Sequence, residues 1–221
     1  MQQTWWVTET LETLGAPALV SWIVLVIGSI VIHELAHGWV AIKCGDDVPL
    51  HTGHMTINPF VHIPPMAWIM FALVGYTWGL MPVNPYNFRR RYDDALVSFA
   101  GPASNLILAI IFSLFLVIHV RFGHNINNEA LRQNLLHFLD MGTWLNLILF
   151  FFNLLPVPPL DGSSIIMSFF PAVRRFYSHE KAQILVVVMM IGVFMMGARI
   201  VRPAAEWLSD HLVQFWGSLL F

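Results

Sequence analysis

Four stretches of this chain run without one Asp, Glu, Lys or Arg: Leu14–Ile32, Ala95–Val120, Met141–Leu160 and Ala182–Ala198, each 17 to 26 residues long. A helix crosses the roughly 30 Å hydrocarbon core of a bilayer in about 20 apolar residues, so every one of these runs is long enough to span. The expected fold is therefore an all-α polytopic membrane protein with about four to six transmembrane helices. Composition agrees. Of 221 residues, 57% are hydrophobic and 11% charged, against about 25% charged in soluble domains, which excludes a soluble domain and a disordered chain. With 11 Lys+Arg against 13 Asp+Glu, no nucleic-acid partner is expected. The single cysteine, Cys44, excludes a disulfide framework and a Cys-rich zinc site, and reads as a bystander at a helix end.

The first span is expected to start at Gly15 and Pro17 and to continue through HELAHGWVAI to Lys43, about 28 residues in all. Val48–Phe88 is harder to read, because its 41 residues carry no charge but are broken by Pro49, Pro59, Pro64, Pro65, Pro82 and Pro85. Its most apolar part, Met66–Gly79, has a length that suits a re-entrant segment better than a crossing. Basic residues decide between the two. If 64–83 spans, they divide 5 to 6 between the sides; if it re-enters, they divide 7 (Lys43, Arg89, Arg90, Arg91, Arg174, Arg175, Lys181) to 4, as the positive-inside rule requires. The N-terminus then lies outside, with Trp5 and Trp6 in the outer interface. The first 42 residues hold no Lys or Arg, so no cleavable signal peptide is expected. Ala204–Phe221 reads as an interfacial helix.

Only two acids lie well inside apolar stretches, Glu34 and Asp161, and ionisable groups at membrane depth are functional suspects. Glu34 belongs to His33-Glu34-Leu35-Ala36-His37, an HExxH pattern that sets two imidazoles one helical turn apart beside a carboxylate. A catalytic zinc wants three protein ligands and an open fourth position. Asp161 ends Asn153-Leu154-Leu155-Pro156-Val157-Pro158-Pro159-Leu160, where three prolines break the helix, tolerable in lipid only if the opened backbone is buried or lines a wet cavity. Asp161 as a cap for a short helix from Ser163 is the competing reading, compatible with metal binding.

HELAH in a membrane helix, AGPASN (Ala100 to Asn105) in the next long helix and NLLPVPPLDG (Asn153 to Gly162) together resemble the site-2 protease family of intramembrane zinc metalloproteases, peptidase M50. GHMTINPFVHIPP (Gly53 to Pro65) and MPVNPYNFRR (Met81 to Arg90) resemble its compact prokaryotic branch without a PDZ domain. The resemblance covers about Ser21 to Gly162. It implies one Zn2+ per chain held by His33, His37 and Asp161, with Glu34 as catalytic acid/base and Asn153 at the substrate backbone or oxyanion. His62 and Asn105 are further candidates for substrate or oxyanion contact, and Asn105, Ser104 and the break at Pro156 for a water path. His62 is followed by Ile63 where the branch more often has an acidic residue before the proline. The implied activity is hydrolysis of peptide bonds in or near transmembrane segments, with single-span membrane proteins as substrates and a prokaryotic plasma (inner) membrane as the location.

Depth follows from helix rise: His33 lies ten residues before Lys43, roughly 15 Å from the inner helix end, so the site sits in the cytoplasmic part of the membrane. A helical substrate must unwind before its carbonyls are accessible, and strand addition can replace its lost hydrogen bonds. Leu50–Asn58 is expected to form a β-hairpin for this, between the HExxH helix and the GPxxN helix. His51 and His54 read as ordinary hairpin residues rather than a second metal site. Residues 1–221 are read as one protease domain, with the core at 15–170 and accessory helices at 171–221. Two other functions fit intramembrane His, Glu and Asp: a metal or ion transporter, disfavoured by the lack of internal repeats, and a relative that binds helices without cutting them.

Overall fold

In the computed structural model, which describes residues 5–220, the chain is helical, and no strand occurs among the described residues. A short helix α1 (Trp6–Thr13) precedes the long α2 (Ala16–Cys44); α3 (Val48–His51), α4 (Pro59–His62) and α5 (Pro65–Val74) follow in the proline-rich segment. Then come α6 (Asp93–Phe122), α7 (Glu129–Asn153), α8 (Asp161–Phe169), α9 (Pro171–Tyr177) and α10 (Glu180–Leu220). Among the described residues, α2, α6 and α7 are the helices long and apolar enough to cross a membrane. They form the centre of the molecule.

Helix α2 starts after Gly15, with Pro17 in its first turn, and ends at Gly45, whose φ of 105° lets its N–H close on Ala41 and Ile42 as in a left-handed C-cap. Pro102 sits inside α6, so the Ser98 carbonyl one turn back has no helical donor. Leu25, Val26 and Ile30 of α2 pack with Ala67 and Phe71 of α5 and Leu145 of α7. Nearer the other end of α2, Ala41 and Cys44 pack on Val97 of α6.

The proline-rich segment leaves and returns at one end of α2. It climbs through α5 until the indoles of Trp5 and Trp6 donate to the Ala72 carbonyl and that of Trp22 to Gly75. It then descends without regular secondary structure through 76–84 and closes where it began. Asp46, fully buried, accepts from the Asn84 N–H and the Asn87 amide, both at 2.7 Å, and from the Val48 N–H at 3.3 Å. The N–H of Arg89 also reaches the Cys44 carbonyl at 3.2 Å. Asp46→Ala strands these donors, and is expected to lower unfolding free energy by about 1–3 kcal/mol. Thermal melting and limited proteolysis at 76–88 check this.

Two expectations are corrected here. Leu50–Asn58 is not a β-hairpin: Pro49 and Pro59 each open a short helix, and Gly53 at φ 72° makes the turn between them. Proline pre-sets the helical φ at a first-turn position, where its missing N–H costs nothing, and that outweighs the β-branched residues nearby. Nor, with Phe221 outside the described residues, is Ala204–Leu220 a separate interfacial helix. It continues α10 through Pro203, because Val201, Ala205, Leu208 and Leu212 bury one face against Ala109, Leu147 and Ile148 of α6 and α7. Trp216 donates to the Ser113 hydroxyl of α6 at 3.2 Å. The fourth uncharged run becomes the first part of this same helix.

Candidate metal centre

Two helices, α2 and α8, carry the polar groups of the HExxH and LDG motifs to one point. His33 and His37 stand one turn apart on α2, with Nε2 atoms 3.0 Å from each other. Asp161, the first residue of α8, puts Oδ2 at 3.1 Å from His33 Nε2 and Oδ1 at 3.4 Å from His37 Nε2. Among the described residues this is the cluster of ligand-type side chains whose donor atoms lie close enough to share an ion, within 4.8 Å of one another. Both histidines are buried.

The chemistry of this donor set tests whether it suits zinc. His37 Nδ1 is 2.7 Å from the Val97 carbonyl, which can only accept, so Nδ1 carries the proton. His33 Nδ1 is 2.7 Å from the Asn105 amide oxygen and is a donor for the same reason. Neutral imidazoles with Nδ1–H present lone pairs at Nε2, and those lone pairs face one another and a carboxylate. Asp161 Oδ2 is buried and accepts no hydrogen bond. Three acceptors at such distances repel unless positive charge lies among them. A proton can bridge one pair; a divalent cation can ligate all three, with the other ring nitrogens already held as metal-binding histidines require. The set fits zinc.

Gly101 of α6 is part of the same cradle, for a Cβ built on it would collide with Nε2 of both histidines. Of AGPASN, the sequence singles out Ser104 and Asn105, not Gly101. The Gly-Pro pair does carry a signal. It places a residue without a side chain against the imidazoles, four positions after the carbonyl that holds His37.

Glu34 lies outside the three-atom cluster, with its buried carboxylate against the backbone of Gly79, where a Cβ would collide with Oε1. The irregular 76–84 stretch thus passes over Glu34, anchored by the Leu80 N–H on the His62 carbonyl at 2.8 Å. Gly79→Ala is expected to retain zinc and lower turnover about a hundredfold by displacing the carboxylate. Zinc stoichiometry measured beside the cleavage rate checks it.

The remaining candidates have other surroundings. Asn105 is fully buried behind His33, with its amide N–H on Asn146, so neither end of its side chain is turned to a substrate. Asn153 donates to the Leu149 carbonyl on its own helix at 3.0 Å. His62 is fully buried, Nε2 donating to the Thr56 carbonyl at 2.6 Å and Nδ1 without a partner. Ser104 donates to the Gly101 carbonyl. His54 stacks edge-on to His62 at 6.2 Å and joins no metal cluster. Asp161 does open a helix, as the capping reading required, but has no side-chain cap on α8, and the Ser163 hydroxyl bonds Leu160 instead.

The sequence profile of peptidase family M50 matches residues 21–123 and 117–197. The chain belongs to peptidase family M50. YwhC of Bacillus subtilis, named as a zinc metalloprotease, is 36% identical over 200 residues, which cover 89% of this chain and 91% of YwhC. Rip2 of Mycolicibacterium smegmatis, similarly named, is 31% identical over 141 residues, 61% of this chain and 51% of Rip2. Rip3 of Mycobacterium tuberculosis is 28% identical over 180 residues, 75% of this chain but 38% of Rip3. This chain thus spans about half or less of the two mycobacterial proteins and nearly all of YwhC. No solved structure matches it. As an M50 peptidase it is a zinc metalloprotease and an integral membrane protein, and family membership removes the transporter reading. With no strand among the described residues, none of them forms a PDZ domain.

Proposed function

We propose that this M50 peptidase is an intramembrane endopeptidase that cuts single-span membrane proteins in or near their transmembrane segment. The observation that carries this is the position of His33 and His37 inside α2, a helix of membrane-spanning length, with Asp161 at the start of the short α8 brought against them. On α2, His33 lies eleven residues before Cys44, roughly 16 Å along the helix axis.

His33, His37 and Asp161 would hold the ion, leaving one position open. Zinc there supplies a water of lowered pKa and an electrophile for the scissile carbonyl. Glu34 takes the proton from the attacking water and returns it to the leaving amine. Asn153 at the end of α7 and His62, with its free Nδ1, are the proposed contacts to substrate; Asn105 is reassigned below. The buried surroundings strengthen every polar contact made in the site.

The same reading sets the topology: N-terminus outside, the basic ends of α2, α6 and α9 in the cytoplasm of a prokaryote, and 48–88 re-entrant from that side. The return of this segment to its starting point at Asp46 supports it. Pairing with an unwound substrate moves from Leu50–Asn58 to the non-helical 76–84 stretch beside Glu34. The packing of α10 on α6 and α7 supports 1–221 as a single protease domain.

The test is to incubate the purified zinc enzyme with a single-span substrate and map the cut by mass spectrometry. Cleavage inside or within a few residues of the hydrophobic segment, abolished by chelation and restored by zinc, is expected. Cleavage confined to a distant soluble loop overturns the intramembrane reading. Zinc binding with no cleavage of any single-span protein supports instead a relative that binds without cutting.

A further inference from the structure

We infer that Asn146 is a positioning residue for the metal centre, acting through Asn105 to hold His33 in its ligating tautomer. The inference rests on reading His33 as a zinc ligand and adds what keeps it one.

The two histidines are oriented by different means. His37 Nδ1 donates to the Val97 backbone carbonyl at 2.7 Å, an acceptor that cannot change character. His33 Nδ1 donates at 2.7 Å to a side-chain amide, Asn105, and an amide can turn over. With Asn105 flipped, its NH2 would face His33, which would then have to accept at Nδ1 and carry its proton at Nε2. That tautomer has no lone pair for a metal.

Asn146 prevents the flip. Its Nδ2 donates to the Gly142 carbonyl one turn back on α7, at 2.9 Å. A carbonyl only accepts, so the Asn146 amide has one orientation, and its oxygen must point away from Gly142. That oxygen receives the Asn105 Nδ2 at 3.0 Å. A flipped Asn105 would set oxygen against oxygen in a place where neither residue has any exposed surface, and an unpaired buried polar group there costs about 1–3 kcal/mol. The proton position on His33 of α2 is therefore dictated by a backbone carbonyl of α7, through two amides. Gly142 also lets the helices approach, since a Cβ there would collide with the Phe112 ring of α6.

Helix α7 leads on through Asn153 to Asp161, so one helix serves both sides of the cluster. It carries the strand of chain that ends in the carboxylate, and it fixes the lone pair of the imidazole facing that carboxylate. The sequence pattern NLILFFFN, with its first asparagine at 146 in an otherwise apolar run, is the signal for such a group.

The experiment measures zinc affinity by chelator competition on the full-length protein in detergent, with the melting temperature of each metal-free variant recorded. Asn146→Leu is expected to weaken zinc about tenfold and Asn105→Leu about 10–100-fold, the range for groups that orient a ligating histidine. Asn105→Asp should bind zinc at least about tenfold more tightly than Asn105→Leu, since a carboxylate has only acceptors to offer Nδ1–H and no wrong orientation. Adding Asn146→Leu to Asn105→Asp should then cost nothing further, a non-additivity that a pure packing role does not produce. In the metal-free protein, 15N NMR should find the His33 proton on Nδ1 in the wild type and distributed between both nitrogens in Asn146→Leu. Zinc affinity of Asn146→Leu equal to wild type, or an equal Asn146→Leu penalty in both backgrounds, overturns the relay. A wild type that binds no zinc overturns the reading of His33 itself.

Discussion

Replacing Glu34 by glutamine is expected to leave one zinc per chain in place and to reduce peptide-bond cleavage by about 10²–10⁴-fold, the usual contribution of a positioned general base. Glutamine has nearly the same shape, so the contact with Gly79 survives. Its amide cannot take a proton. Glu34 does not belong to the His33, His37 and Asp161 cluster, and the number of ligand atoms is unchanged. Metal analysis and single-turnover cleavage, run on the same preparation, separate the two effects. Loss of zinc would make Glu34 a ligand, and cleavage within threefold of wild type would remove it from the chemistry.

Gly101→Ala should produce the second large effect, on zinc affinity and not on the stability of the metal-free protein. Alanine inside a helix is favoured over glycine by about 0.5–1 kcal/mol, so the metal-free protein should not be strongly destabilised once the imidazoles swing aside. Zinc affinity should nevertheless fall by about a hundredfold or more, because the methyl group collides with both Nε2 atoms. Gly28→Ala in α2 is the control: open space surrounds that position, and the same substitution should raise stability by about 0.5–1 kcal/mol with zinc binding unchanged. If Gly101→Ala binds zinc as wild type does, the ion does not sit between these two rings.

The helical class and the two proposed ligand histidines were legible in the chain for one reason: local period and bilayer length act within a single helix. Leu14–Ile32 could only be helix in lipid, and His33 and His37 four residues apart must share its face. Leu50–Asn58 reads as a hairpin because Thr52, Thr56 and Ile57 have β-branched side chains, yet it forms the end of one short helix and the turn leading to the next. Pro49 and Pro59, each at a first helical turn, had the stronger steric claim. Likewise the tail from Ala204 reads as a separate interfacial helix, yet α10 runs through Pro203 to Leu220, since a continuous packed face on α6 and α7 offsets one missing donor.

Asn105 illustrates what sequence spacing cannot resolve. Its position in AGPASN marked it as functional, but whether its amide meets a substrate or a ligand's far nitrogen depends on a neighbour 41 positions away, Asn146. Gly79 and Gly101 were invisible for a related reason, because a glycine's role here lies in what its missing side chain leaves room for. The sequence by itself determined a membrane-embedded helical chain, an HExxH pair and a distant aspartate awaiting a partner. Only the tertiary structure decided that Gly101, Val97, Asn105 and Asn146 surround that pair. These contacts join α2, α6 and α7 across long separations, and such contacts are selected by the packing of whole helices rather than by any local preference.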